Sequence, residues 1–163
     1  MTVGEARDLL AYDEWANARL FRALVALTDD QYTRTLTSSF SSLRDTFAHI
    51  VVEEWIWLRR CKGENPAGPP DWATSGDRDS LWQALASLQE ERAEFLATLT
   101  EDRLEEEIAF RSLEGQEYRH RMADLLRHVV NHSTYHRGQA ATLLRQAGAV
   151  APETDFVVFR ESA

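Results

Sequence analysis

The stretch from Leu125 to Gln146, LLRHVVNHSTYHRGQAATLLRQ, constrains this chain more than any other. It reads as one helix, and it carries three of the five histidines in the sequence: His128, His132 and His136. Successive members are four apart. At about 3.6 residues per turn, each step returns to nearly the same face, one turn further along. Leu125, Val129, Leu143 and Leu144 mark that face as the buried one. An imidazole pair at i and i+4 on an inward face can grip one divalent cation through two ring nitrogens. A third ligand must then come from another element, and only His49 and His120 remain.

Composition narrows the setting. A chain of 163 residues suits one domain, residues 1–163, with a real core. Eighteen Lys and Arg against 27 Asp and Glu give a net charge of -9. Nucleic-acid footprints are basic, so this balance argues against a phosphate-backbone partner, and equally against an anionic membrane surface. No apolar run approaches the roughly 20 residues needed to span a bilayer. The start, MTVGEARDLL, lacks a basic n-region and a signal-type apolar core, so a cytoplasmic location is expected. The single cysteine, Cys61, excludes an internal disulfide and a cysteine-rich metal site. Seven Gly and four Pro, with long spans free of both, favour helices.

Periodicity predicts four long helices. The first runs from Val3 to about Leu27, with Thr2 and Glu5 as a capping box. Its apolar positions, among them Leu9, Leu10, Tyr12, Trp15, Leu20 and Leu24, repeat at helical spacing. Asp29, Asp30 and the Thr/Ser-rich stretch 33–42 read as a connection. The second helix starts after Ser41 or Ser42 and ends near Lys62, carrying His49 and, one turn later, Glu53. Residues 63–79 hold three of the four prolines and read as a long loop, either a lid or partner contact or a plain connection between antiparallel helices. The third helix runs from Ser80 to Leu99, capped by Asp79. The acidic stretch Asp102 to Glu107 reads as solvated surface. IAFRSLEGQEYRH then resembles a small hairpin turning at Glu114-Gly115. The fourth helix runs from about Met122 to Gly148. In the tail, Thr154 or Asp155 could cap a short helix, with a strand as the rival for FVVF. Four such helices most simply make an all-α, antiparallel four-helix bundle, which builds metal sites in its core from facing helices.

Three neutral imidazoles with an open position form the pattern of a reactive zinc-type site. H-x-x-x-H alone is a weak signal. A zincin needs H-E-x-x-H, and residues 132–136 read HSTYH, without the base. A ferritin-like di-iron site needs two E-x-x-H motifs, and only Glu117-x-x-His120 is present, at the hairpin. No P-loop and no G-x-S-x-G occurs. Three histidines at i, i+4 and i+8 drift by about 40° per step, so all three cannot easily address one ion. Spacing leaves the pairs 128/132 and 132/136 open. Glu53 could be a fourth ligand, could orient an imidazole, or could be a surface carboxylate. Tyr135 could donate a proton or pack. Cys61 is expected to pack. Trp72, in the long loop, is the tryptophan expected to line a pocket. Arg137 could hold an acidic substrate group or pair with a surface carboxylate.

The segments NHSTYHRGQAATLLRQAG (131–148), PETDFVVFRE, YDEWANARL (12–20) and FAHIVVEEWIW closely resemble the DinB/YfiT family of damage-inducible proteins. The resemblance spans nearly the whole chain. It implies a four-helix bundle in which His49, His132 and His136 hold one divalent ion, Zn, Ni, Fe or Mn, and it often implies a homodimer. It also implies kinship with transferases and isomerases that use a low-molecular-weight thiol as cosubstrate. The expected function is therefore a metal-dependent enzyme activating such a thiol or water, in stress or detoxification. The alternative is a non-catalytic, metal-stabilised module.

Overall fold

The computed structural model describes residues 1–74, 76–112 and 115–162. Its helices are α1 (Val3–Val25), α2 (Asp29–Thr33), α3 (Leu43–Cys61), α4 (Arg78–Ala97), α5 (Glu101–Glu105), α6 (Met122–Gln146) and α7 (Phe156–Glu161). One hairpin, β1 (Glu107–Arg111) with β2 (Glu117–Arg121), precedes α6, and a 3-10 turn occupies Asp71–Thr74. The expected four-helix bundle is formed by α1, α3, α4 and α6. Among the described residues, no helix is long and apolar enough to cross a membrane.

The long helices start where side chains can absorb free backbone donors. Thr2 and Glu5 form the expected capping box on α1. Ser42 caps α3 through Asp45 N–H. Asp77, not Asp79, caps α4, so that helix starts two residues before the expected Ser80. Two short helices replace expected irregular stretches for the same reason. Thr28 and Gln31 form a capping box on α2. Thr100 caps α5, which turns the acidic run so that Leu104 is fully buried. In the tail, the helix prevails over the strand, with Asp155 at the N-cap position of α7. Of the expected hairpin turn, Glu114 lies outside the described residues, while Gly115 has a φ of 86° that suits glycine.

Two apolar clusters fill the bundle. One joins the end of α1 (Leu20, Leu24), the start of α3 (Leu43, Phe47, Ile50), the start of α4 (Leu81, Leu85) and the end of α6 (Leu143, Leu144). The other joins the start of α1 (Ala6, Leu10), the end of α3 (Cys61), the end of α4 (Leu96) and the start of α6 (Met122, Leu126, Val130). Hence α1 runs parallel to α6, α3 runs parallel to α4, and the two pairs oppose each other. Helix α6 packs on both α1 and α3, and α4 packs on the same two from the far side. This arrangement explains the long loop. Neighbours α3 and α4 point the same way, so the chain must travel back along a bundle about 28 Å long before α4 can start. Trp72, on that return path, packs against the first apolar cluster.

Candidate metal centre

Between the two apolar clusters lies a buried polar layer contributed by all four long helices. Asp13 and Asn17 come from α1, Glu54 from α3, Arg92 from α4, and Ser133 and Arg137 from α6. Arg137 Nη1 donates to Asp13 Oδ1 at 2.6 Å and to Asn17 Oδ1 at 2.8 Å. Arg92 pairs with Glu54, and Asn17 Nδ2 donates to Glu54 Oε1 at 3.3 Å. Two carboxyls and two guanidiniums thus share one enclosed space, and the two carboxyls titrate as a unit. Burial, and then the nearby Glu54 carboxylate, push Asp13 up to about 8. Burial opposes ionisation of Glu54 as well. Arg92, hydrogen bonds from Asp13 and Ser133, and Arg137 outweigh it and hold Glu54 low.

His49 on α3 and His132 and His136 on α6 meet beside this layer. His136 Nε2 stands 3.1 Å from His49 Nε2 and 3.1 Å from His132 Nε2. One nitrogen from each of the three rings lies within 4.8 Å of the others. Each helix places its histidine by the periodicity of its neighbours. His49 precedes the buried Ile50, and His132 and His136 flank Ser133 and Arg137, which are anchored in the polar layer.

This donor set fits a divalent cation. His136 Nδ1 lies 2.8 Å from Gln139 Oε1, whose amide nitrogen donates in turn to Ser39 Oγ at 3.0 Å. The Gln139 oxygen can only accept, so the His136 proton sits on Nδ1 and the Nε2 lone pair faces the centre. One lone pair cannot serve two nitrogens at 3.1 Å, whereas a cation at the common point would engage all three. His49 and His132 also favour the neutral form that metal ligands need. Burial first, then the proximity of His136, lowers His49 to about 4. Burial lowers His132 to about 4 as well, against an opposing pull from Glu53 and with help from the neighbouring histidines. His132 Nδ1 is buried without a hydrogen-bond partner among the described residues. Phe40 closes one side, with its ring centroid 4.5 Å from His49 and 5.5 Å from His136.

The other candidates fall elsewhere. The His128 ring packs on Trp57 at 4.4 Å and stays outside the three-nitrogen group. Glu53 accepts from Trp57 Nε1 at 3.0 Å and also stays outside it. His120 sits on β2, beside Phe110. Tyr135 is exposed, with its ring 5.0 Å from His136. Cys61 is buried, and burial pushes its thiol up to about 12. Two expectations need correction. Arg137 meets the buried Asp13 in place of a surface carboxylate or a ligand, because its position faces the bundle axis. Trp57, not Trp72, lines the pocket next to the histidines, because Trp72 is spent on core packing.

Sequence reasoning missed the polar layer itself. A signal was available. On α1, the buried positions Ala6, Leu10, Asp13, Asn17, Leu20 and Leu24 follow an unbroken three-four spacing, and two of them are polar. A carboxylate that keeps the rhythm of an apolar stripe points inward.

Comparison with known proteins identifies the family and the fold. The DinB family model matches residues 1–163. The chain belongs to the DinB family. A relative, Protein DinB of Bacillus subtilis, is 27% identical, with 94% of this chain and 92% of the relative covered. Among solved structures, YfiT from Bacillus subtilis has a TM-score of 0.67 at 18% identity, covering 91% of this chain and 90% of that one. It is described as a probable metal-dependent hydrolase with an unusual four-helix bundle topology. A DinB-like protein from Bacillus cereus has a TM-score of 0.63 at 20% identity, covering 89% of this chain and 94% of that one. At these identities the solved structures establish the fold that the DinB chain shares with them.

Proposed function

We propose that this DinB-family chain binds one divalent cation through His49, His132 and His136 and is a metal-dependent enzyme. The observation that carries the reading is the convergence of three Nε2 atoms, with Gln139 Oε1 2.8 Å from His136 Nδ1 on the far side of that ring. When bound, such an ion would lower the pKa of a water or of a low-molecular-weight thiol and make it a nucleophile at neutral pH. The protein's own groups do the rest. Gln139 and Ser39 hold the His136 ring. Phe40 shields one side from water. The buried Cys61, with its raised thiol, is not a nucleophile here. The description of YfiT as a probable metal-dependent hydrolase supports the water version. Imidazole donors suit Zn, Fe and Ni alike.

A second reading is a non-catalytic ion that ties α3 to α6. It is favoured by the ligands coming from those two helices alone. The test is elemental analysis of purified protein, followed by assays of ester hydrolysis and of thiol conjugation. Near-stoichiometric metal in the wild type and its loss in His132→Ala are expected. Full occupancy in that variant overturns the site. Full occupancy in the wild type with no rate above the metal-free protein in either assay leaves the helix-tie reading.

A further inference from the structure

Beside the three histidines lies a pocket of about 390 Å³. That volume is within the range of small-molecule sites, roughly 300–1,000 Å³. Its walls are chiefly flat rings. Trp57 comes from α3, His128 from α6, and Phe110, Tyr118 and His120 from the hairpin. The hairpin register explains the convergence. Phe110 pairs with Tyr118 and Ile108 with His120, so both strands turn rings to one face, toward the bundle. Phe110 stacks on Tyr118 with centroids 5.7 Å apart and meets Trp57 edge-on at 5.4 Å. Every residue of β2 is nonetheless exposed, Tyr118 by 37%. The Arg60 guanidinium, also part of the wall, lies over Trp57 and Phe110 at 4.5 and 4.7 Å from their ring centroids, while the Tyr118 side of the pocket stays open.

The pocket adjoins the triad through a single ring. His128 packs on Trp57 at 4.4 Å, and its other neighbour is His132 at 5.6 Å. A molecule seated between Trp57 and Tyr118 therefore lies one ring, that of His128, away from the metal-ligating group proposed above.

We propose that this pocket binds the planar, aromatic or conjugated body of a small organic molecule and presents its reactive end to the triad. Ring walls favour a flat π-system over an aliphatic body of equal size, because offset and edge-to-face contacts add to simple burial. Only the presentation of a reactive end to the triad rests on the metal-dependent reading. The binding itself does not.

The test uses indole, a neutral planar probe without a metal-binding carboxylate, and cyclohexanol as a non-planar control. Titration into the 163-residue chain is followed by calorimetry and by the ring C–H signals of His120 and His128 in NMR spectra. One indole per chain is expected, shifting both imidazole signals, with cyclohexanol at least about tenfold weaker. Tyr118→Ala alters an exposed strand and should keep the fold, verified by its circular dichroism, while weakening indole about tenfold. His132→Ala, expected to lose metal, should still bind indole. Unshifted histidine signals at millimolar indole overturn the proposal, as does Tyr118→Ala binding as tightly as wild type. A wild-type protein that elemental analysis finds to take up no divalent metal, yet that binds indole as expected, would sink the metal reading and leave the pocket standing.

Discussion

The Ser133 hydroxyl donates a 2.7 Å hydrogen bond to Glu54 Oε1, so the residue that follows His132 on α6 is tied to α3, the helix that carries His49. Both partners are buried, at 1% and 4% exposure, and Glu54 also pairs with the buried Arg92. Removing one partner of a buried ion pair strands the other charge. Glu54→Ala is therefore expected to destabilise the fold by about 3–5 kcal/mol. Ser133→Ala removes one hydrogen bond to a charged group and should cost about 1.5–3 kcal/mol. Urea unfolding of the two variants measures both. Equal losses, or a neutral Glu54→Ala, would show that the polar layer is not held as described.

Gln139 fixes the His136 tautomer and is not itself in the three-nitrogen group. Loss of such outer partners typically weakens a metal site by 10–100-fold. Gln139→Ala should raise the dissociation constant for Zn by roughly that factor, with thermal stability of the metal-free protein nearly unchanged. Competition against a chromophoric chelator reads the affinity. An unchanged constant would remove Gln139 from the site.

Acid should destabilise the metal-free protein through two of its histidines. His49 and His132 are lowered to about 4 in the fold, from an ordinary value near 6.5. Between those values the unfolded chain binds more protons than the folded one, so stability falls as pH falls. Their contribution is complete above about pH 6.5 and is lost as pH drops through about 4. Urea midpoints of wild type between pH 7 and pH 4 should decline more steeply than those of His49→Asn. Parallel curves for the two proteins would count against a neutral, half-buried His49.

Cys61 is enclosed, 1% exposed, with its thiol raised to about 12 by burial. Thiolate is the reactive form, so the native chain should resist Ellman's reagent and react fully in denaturant. Fast modification of the folded chain would contradict the packing at the end of α3.

The helices were legible because they depend on local spacing, whereas the choice of His49, His132 and His136 came from the resemblance to the DinB/YfiT family, since spacing left the pairs 128/132 and 132/136 open. Thr2 and Ser42 act within a turn or two of themselves. The direction of α4 was not legible. Amphipathic stripes are the same for parallel and antiparallel neighbours, so the loop 63–79 could be read as a lid or a plain turn when its length serves to return the chain. Asp13, Asn17 and Glu54 were overlooked because an acidic residue in an acidic chain reads as solvated surface. Their partners, Arg92 and Arg137, are 38 residues from Glu54 and 124 from Asp13. The pocket depends on the hairpin register, which no helical periodicity reports.

Parallel alignment of α1 with α6 carries a consequence for how the chain is made. Helix α1 cannot pack against α6 until the residues through Gln146 have been synthesised. His49 and His136 are 87 positions apart, so the ion-gripping cluster cannot assemble on an incomplete product. A metal captured there would report that the last long helix has docked, acting as a seal on finished molecules.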